Sequence, residues 1–152
     1  MKKMKNNLLG TEFEISLRVL ILLDELESER LDVHQIACID FMAIYGADFN
    51  ILDENLNGNG MFRSSEFSNK YILVSSAVKK LACGQYINLS PSNDGYLYSI
   101  NIEGKDIAKK INNTYSSEYR VAVYSVKNKY PDLDAHIMES IILNKSVEIL
   151  DK

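Results

Sequence analysis

The sequence predicts a mostly helical α+β fold, and three observations lead to this prediction. Hydrophobic residues recur at helical spacing in three successive segments before Gly84. The next stretch changes to the two-residue period of β-strands and is interrupted by Asp94-Gly95, a dipeptide that favours hairpin turns. Helical spacing returns after Glu103-Gly104. The order helix, helix, helix, hairpin, helix is that of a winged helix-turn-helix, here with extra C-terminal helices.

The first predicted helix runs from about Thr11 to Glu27. Thr11 and Glu14 have the spacing of a capping box, which satisfies the unpaired N–H groups at the start of a helix. Hydrophobic residues occupy nearly every side of this segment, as is typical of a central helix. Its expected inward stripe consists of Phe13, Leu17, Leu20 and Ile21.

A second helix is expected to begin at Asp32, since Gln35 follows it in another capping-box pattern. It should end near Gly46, a residue type that favours helix C-termini. The glycine- and asparagine-rich segment Asp53–Gly60 is predicted to be an exposed loop.

The third helix is expected from Ser65 to Cys83, where it takes the position of the recognition helix in the winged fold. The wing follows as two strands, Tyr86–Leu89 and Tyr96–Ile102. On the second strand one face is predicted to carry Tyr96, Tyr98, Ile100 and Ile102.

Further helices are expected after Gly104, over Ser116–Asn128, and after Pro131, which interrupts the chain. We therefore divide the sequence into a flexible N-terminus (1–10), a winged-helix domain (11–111) and a C-terminal helical extension (112–152). The extension is expected to pack on the same domain.

The composition indicates a soluble cytoplasmic protein with no membrane association. The longest plainly aliphatic run, Val19–Leu23, is far shorter than the ~20 residues that span a bilayer. No apolar stretch of secretory-signal length, about 7–15 residues, follows the N-terminal lysines. The formal net charge of −4 argues against a protein that coats DNA without sequence preference.

The predicted recognition helix is poorly suited to reading duplex DNA, which requires a face rich in Arg, Lys, Asn or Gln. It contains no arginine, and the wing turn Ser90–Gly95 contains no basic residue. The candidates for DNA contact are Asn69, Lys79 and Lys80. We therefore expect DNA contact to be weak or indirect.

Outward hydrophobic side chains instead indicate contact with another protein. Ile72 and Leu73 fall on the outward half of the third helix, where they would lie under another element or a partner subunit. The alternative is that the helix is rotated slightly from this phase, so that both belong to the core. The full set of candidates for partner contact is Ile72, Leu73, Tyr96, Tyr98, Arg18 and Arg63.

No residue is assigned to catalysis, to a metal or to a cofactor, and no cofactor is expected. His34 and Cys38 are four residues apart on one predicted helix, but a structural zinc site requires four ligands. The sequence also lacks the glycine-rich phosphate-binding motifs. We therefore expect a protein that is not an enzyme.

Two charged residues lie within very apolar segments. Arg18 is in the middle of the first helix and Asp40 is in the second. Because a buried arginine needs a carboxylate partner, Arg18 is expected to pair with Glu14 or Asp40 inside the protein. The functional alternative is that Arg18 is a charged contact for a partner subunit.

Four short segments in the first half of the sequence occur in a recognisable succession: Phe13–Leu23, Leu31-Asp32, Ile39-Asp40-Phe41 and Gly46-Ala47-Asp48. In this succession the chain resembles the middle component of bacterial ABC-three-component systems, the group that includes Lamassu-type defence operons. The Arg63…Glu66 segment and the winged region through Ile111 are similar as well. The residues that match the family pattern are Phe13, Glu14, Leu17, Arg18, Asp32 and Asp40.

The resemblance implies a small adaptor without enzymatic activity. Such a subunit sits between a Rad50- or SMC-like ABC ATPase and an effector subunit, often a nuclease, in an antiphage or antiplasmid complex. The third helix is poorer in arginine than the resemblance leads one to expect. This departure further weakens the case for direct DNA contact.

Two other functions remain open at the level of sequence. One is a winged-helix transcription regulator that dimerises through its C-terminal helices and binds a palindromic site. The other is a small enzyme that uses His34, His136 or the thiols of Cys38 and Cys83.

Overall fold

The structure is a computed structural model that describes residues 11–56 and 64–150, with side chains for residues 11–56 and 66–145. These residues form six helices and one two-stranded antiparallel sheet, so the predicted mostly helical α+β composition is confirmed. The predicted N-terminal segment 1–10 lies outside the described residues. In chain order the elements are α1 (Glu12–Glu25), α2 (Val33–Ile44), α3 (Ser64–Cys83), β1 (Ile87–Ser92), β2 (Gly95–Ile100), α4 (Ile102–Lys110), α5 (Thr114–Lys129) and α6 (Ala135–Leu150).

Helix α1 begins after Thr11, whose side chain accepts a hydrogen bond from the backbone N–H of Glu14. The predicted N-cap is therefore confirmed. The predicted inward stripe is wrong at Phe13, which is 61% exposed. The inward side of the first turns is instead set by Ile15, Arg18, Val19 and Leu22, which have helical spacing and are buried.

Helix α2 begins with a complete capping box. The backbone N–H of Gln35 donates to Oδ1 of Asp32 at 2.7 Å, and the backbone N–H of Asp32 donates to Oε1 of Gln35 at 2.9 Å. Every residue from Ile36 to Ile44 is buried, because α2 lies between α1, α3, α5 and α6. Helix α2 is thus the innermost element of the fold.

The hairpin that was predicted as the wing is present, and its strands are longer at the turn than expected. We refer to this hairpin as the wing. Strand β1 continues to Ser92 and pairs with Gly95, so that the turn contains two residues rather than six. Gly95 has a φ of +138°, a value that L-residues other than glycine rarely adopt. The placement of Ile102 on the strand is wrong. Asn101 caps α4 by accepting from the N–H of Gly104, so Ile102 is instead the first residue of that helix and is exposed.

A single β-bridge attaches the wing to the helical body. Leu31, between α1 and α2, donates its N–H to the carbonyl of Tyr98 at 3.0 Å and accepts from the N–H of Tyr98 at 2.8 Å. The side chains of Leu31 and Tyr98 are both buried. No pattern in the sequence predicts this connection.

The C-terminal helices complete the core. Helix α5 packs against α1 and α2, and α6 packs against α2. The two helices bury Tyr119, Ala122, Val123, Val126, Met138 and Ile142. In the described part of the chain, none of the helices combines the length and the apolar character that crossing a membrane requires.

Candidate partner interface

The interior contains a bidentate ion pair between Arg18 of α1 and Asp40 of α2. Nε of Arg18 donates to Oδ1 of Asp40 at 2.9 Å, and Nη2 donates to Oδ2 at 3.0 Å. Arg18 is 2% exposed and Asp40 is 1% exposed. This planar, two-bond geometry is the strong form of an arginine–carboxylate contact.

Two further groups form hydrogen bonds with this pair. The hydroxyl of Tyr119 on α5 donates to Oδ1 of Asp40 at 2.6 Å, and Nη1 of Arg18 donates to Oε1 of Glu14 at 3.4 Å. Arg18 is therefore paired with both carboxylates that the sequence suggested. The cluster of Glu14, Arg18, Asp40 and Tyr119, which we call the Arg18 cluster, joins α1, α2 and α5.

The Arg18 cluster fixes the protonation states of Asp40 and Tyr119. Burial acts to raise the pKa of Asp40, but the charge and hydrogen bonds of Arg18 and the hydrogen bond from Tyr119 outweigh it and hold this pKa below its ordinary value. Burial, together with the negative charge of Asp40, raises the pKa of Tyr119 well above its ordinary value. Asp40 thus remains an acceptor and Tyr119 a donor at neutral pH.

The candidates for partner contact separate into interior and surface residues. Arg18 is enclosed by its cluster and Tyr98 by the core and the bridge to Leu31, so both are buried in the folded chain. Leu73 is partly buried against the core, whereas Ile72 is 65% exposed and Tyr96 is 53% exposed. The remaining candidate, Arg63, lies outside the described residues.

Ile72 lies at an open, largely apolar groove of about 450 Å³ between the start of α2, the first half of α3 and α6. Phe67 is its most buried side chain, and Tyr71 makes an edge-on ring contact with His34 at 5.7 Å. His34 also pairs with Glu139, with 3.1 Å between Nε2 and Oε1. We call this feature the Ile72 groove; its lining residues are His34, Phe67, Ser68, Tyr71, Ile72, Glu139 and Leu143.

The wing presents a second apolar surface. One face of the hairpin carries three cross-strand pairs, which from the base to the tip are Ile87–Ile100, Leu89–Tyr98 and Pro91–Tyr96. Ile87 and Tyr98 are buried against the body, but Leu89, Pro91 and Tyr96 are exposed. The apolar face thus continues beyond the helical body. We call its outer part, Leu89, Pro91 and Tyr96, the wing tip.

The candidates for DNA contact are on the surface but form a weak cationic face. Asn69, Lys79 and Lys80 of α3 are all exposed. Nζ of Lys80 is paired with Oε1 of Glu12 at 2.5 Å, and Oε2 of Glu12 accepts from Ser76 at 2.8 Å. These hydrogen bonds, first that from Lys80 and then that from Ser76, lower the pKa of Glu12, which keeps a negative charge beside the candidate face.

The histidines and Cys38 are engaged in contacts within the protein. The ring of His34 lies edge-on to His136 at 5.6 Å, in addition to its contacts with Tyr71 and Glu139. Sγ of Cys38 is 3.7 Å from the carbonyl of Ala135, and burial raises the pKa of this thiol. In the described ranges, no three His, Cys, Asp or Glu side chains form a group that could hold a metal ion.

Several exposed hydrophobic side chains were missed by the sequence analysis. Phe13 was assigned to the core, and Leu89 was not singled out as a surface residue. The exposure of Phe13 could have been predicted from its position relative to Leu22. The two residues are nine positions apart, and at about 100° per residue they lie on opposite sides of α1. No comparable signal marked the groove, because its walls come from three helices that are distant in sequence.

Comparison with known proteins gave one match. A family model described as the ABC-three component (ABC-3C) system Middle Component 2 matches residues 8–152. This range includes all the residues that the structure describes. No curated protein and no solved structure matched the chain.

Proposed function

Because the chain belongs to the Middle Component 2 family of ABC-three component systems, we propose that it is a non-catalytic adaptor subunit. It links a Rad50- or SMC-like ABC ATPase to an effector nuclease in an antiphage or antiplasmid complex of the Lamassu type. The complex acts in the cytoplasm, and this subunit contacts DNA weakly or only through its partners. Because the family belongs to a multi-component system, the subunit has protein partners. We propose that these partners are the ATPase and the nuclease.

The separation of two exposed apolar surfaces is the observation that carries the adaptor role. The Ile72 groove lies along the first half of α3, and the wing follows the end of α3 at Cys83. Cys83 lies eleven positions after Ile72, which corresponds to roughly 16 Å along the helix. Exposed apolar patches mark protein contact sites, and two that are set apart suit a subunit that bridges two others.

The arrangement of the elements supports a winged-helix fold. Three helices precede the hairpin, as in the predicted order, and the bridge between Leu31 and Tyr98 anchors the hairpin to the helical body. The wing has no lysine or arginine from Tyr86 to Ile102. A wing without cations lacks the positive charges that neutralise phosphates, which favours its use in protein contact.

The environment of Cys38, one of the candidate nucleophiles, supports a role without catalysis. A reactive cysteine requires an accessible thiol with a lowered pKa, whereas Cys38 is buried and its pKa is raised. Cys38 is therefore not positioned as an activated nucleophile.

Co-expression with the two neighbouring subunits tests the adaptor proposal. We expect affinity-tagged protein to recover the ATPase and the effector together, and the tagged ATPase to recover the effector only when this chain is present. Tyr96→Asp should remove one of the two subunits and leave the other bound. The matched control is Val121→Asp, which alters an exposed aliphatic residue of α5 that lines neither surface and should leave the complex intact. Recovery of the chain alone and monodisperse would contradict the proposal.

The alternative of a transcription regulator is tested by DNA binding. Asn69 and Lys79 are exposed on α3 and would have to contact the duplex. A regulator would shift a duplex of its own upstream region at low salt, with an affinity that falls steeply as salt rises. We expect no such shift from this subunit alone.

A further inference from the structure

We propose that the Ile72 groove binds a segment of one partner subunit that carries a large apolar side chain next to a lysine or arginine. The inference rests on the adaptor function and adds the chemistry of the segment that is recognised. The apolar side chain would fill the groove, and the basic residue would pair with Glu139 at its edge.

The groove is suited to an apolar side chain by its shape and lining. Its volume of about 450 Å³ lies within the range of about 300–1,000 Å³ that is typical of binding clefts. Phe67 is buried, Tyr71 is half-buried, and Ile72 and Leu143 present exposed aliphatic surface. None of the described side chains covers Ile72, which leaves apolar surface that a partner residue can remove from water.

The electrostatic character of the groove selects a cation beside the apolar side chain. Glu139 is the one carboxylate among the described lining residues, and none of them is a lysine or an arginine. Its Oε1 faces His34, and its side chain remains 35% exposed. After burial, the negative charges of Asp32 and Glu139 are among the causes that raise the pKa of Tyr71, so a second carboxylate acts on the same region. A neighbouring cation on the partner complements this charge.

The same charge argues against the two other occupants of such a groove. Nucleic acid would bring phosphates against Glu139, which is electrostatically unfavourable. A symmetric contact between two copies of this chain would place the same groove on both sides and would bring no lysine or arginine from its described lining to either Glu139. A partner with a basic residue satisfies the apolar and the charged parts of the site at once.

Binding measurements with the separately purified ATPase and effector subunits test this assignment. We expect Ile72→Ser to weaken the binding of one subunit by about tenfold or more, as truncation of a central apolar contact does. Glu139→Gln should weaken it several-fold and reduce its dependence on salt. Glu139→Lys should weaken it further, and a lysine- or arginine-to-glutamate change in the partner segment should restore it.

The matched controls are on α5, outside the groove. Val121→Ser removes an exposed aliphatic side chain, and Glu118→Lys reverses an exposed carboxylate. Both should bind within about twofold of the wild type, as expected for surface positions outside an interface. Circular dichroism of each variant verifies that the fold is retained.

The outcomes separate this inference from the proposal on which it rests. If the wild type binds neither subunit, the adaptor function is wrong, and this inference falls with it. If the wild type binds and the groove variants bind equally well, the adaptor function stands and the groove assignment is wrong. The assignment is also overturned if Ile72→Ser abolishes self-association or duplex binding but leaves subunit binding unchanged.

Discussion

Arg18 and Asp40 carry full charges in a core that consists otherwise mainly of aliphatic and aromatic side chains. Removing two ions from water is costly, and the cost is offset only when the geometry is good and the remaining hydrogen bonds are satisfied. The bidentate contact provides the good geometry. The remaining hydrogen bonds come from the Tyr119 hydroxyl and the more distant Glu14 carboxylate. The cluster therefore specifies how α1, α2 and α5 fit together, because a displaced helix would leave a charge unpaired.

Single substitutions in the ion pair should be severely destabilising. We expect Arg18→Met or Asp40→Leu to lower the free energy of unfolding by about 3–5 kcal/mol, because each leaves an uncompensated buried charge. The double variant Arg18→Met/Asp40→Leu should be less destabilised than the sum of the two. Urea unfolding followed by circular dichroism measures all three. If either single variant unfolds like the wild type, the cluster does not support the fold, and Arg18 would have to be reconsidered as a contact for a partner.

The low pKa of Asp40 predicts a loss of stability in acid. The pKa of Asp40 is lower in the folded protein than its ordinary value of about 3.8 in the unfolded chain. At a pH above 3.8 the ionised carboxylate therefore stabilises the folded state. This contribution is lost as the pH falls through the folded pKa. We therefore expect the difference in unfolding free energy between the wild type and Asp40→Asn to be constant near neutral pH and to shrink below pH ~4. A difference that is unchanged down to pH ~2 would contradict this account.

Single residues also show where inference from the sequence succeeds. Arg18 and Asp40 could be predicted to have internal partners because an unpaired charge in such apolar segments is unfavourable. The exposure of Phe13 was missed because α1 is apolar on nearly every side, which leaves several plausible inward stripes. In such a helix the pattern gives little information on which residue faces out.

At the scale of secondary-structure elements, the junction between the wing and α4 depends on Gly104. A Cβ at this position would lie 2.1 Å from the carbonyl oxygen of Tyr86 and 2.8 Å from Cδ1 of Ile100. Only glycine allows α4 to approach the start of the wing so closely. The side-chain amide of Asn101 donates to the carbonyl of Gln85 at 2.7 Å and supports the same junction.

Gly104→Ala should therefore destabilise the protein, although alanine favours a helix over glycine by about 1 kcal/mol. The clash involves a backbone oxygen, which cannot rotate away, so α4 must move from the wing. We expect a lower melting temperature. Lys109→Ala, at an exposed position of the same helix, serves as the control and should change stability by no more than about 0.5 kcal/mol. A gain in melting temperature for Gly104→Ala would show that the junction can open without cost.

The helices and strands were predictable where the sequence shows a hydrophobic periodicity or a helix-capping residue. The three leading helices, the hairpin and the Asp32–Gln35 capping box all follow from local pattern. The bridge from Leu31 to Tyr98 was not predictable, because it involves a single residue of a connecting segment and a single residue produces no hydrophobic periodicity. The start of α4 was misplaced because Asn101 competes with Gly104 as the boundary and provides the stronger cap.

In the molecule as a whole, the C-terminal helices form part of the central packing. The helices α5 and α6 enclose α2, and a group of ion pairs binds the end of α1 to α4 and α5. Asp24 accepts a hydrogen bond from Nζ of Lys105 at 2.9 Å and forms an ion pair with Nη2 of Arg120 at 2.9 Å. The groove between α2, α3 and α6 exists only in the assembled fold, which is why the sequence could not reveal it.

A fragment that ends at Lys110 should not fold. It would lack the side chains that cover α2, including Tyr119, Val123 and Met138, and would expose a helix whose residues from Ile36 to Ile44 are all buried. We expect little cooperative unfolding and concentration-dependent aggregation, measured by circular dichroism and light scattering. Adding a peptide of residues 111–152 should restore the transition. A cooperative transition for the fragment alone would show that the winged region is an independent domain.

The bridge between Leu31 and Tyr98 has a mechanical consequence. Its two hydrogen bonds connect the returning strand of the wing to the residue immediately before the capping box of α2. A force applied to the wing would therefore act on the first turn of α2 through these two hydrogen bonds. We therefore expect the wing and the start of α2 to move together.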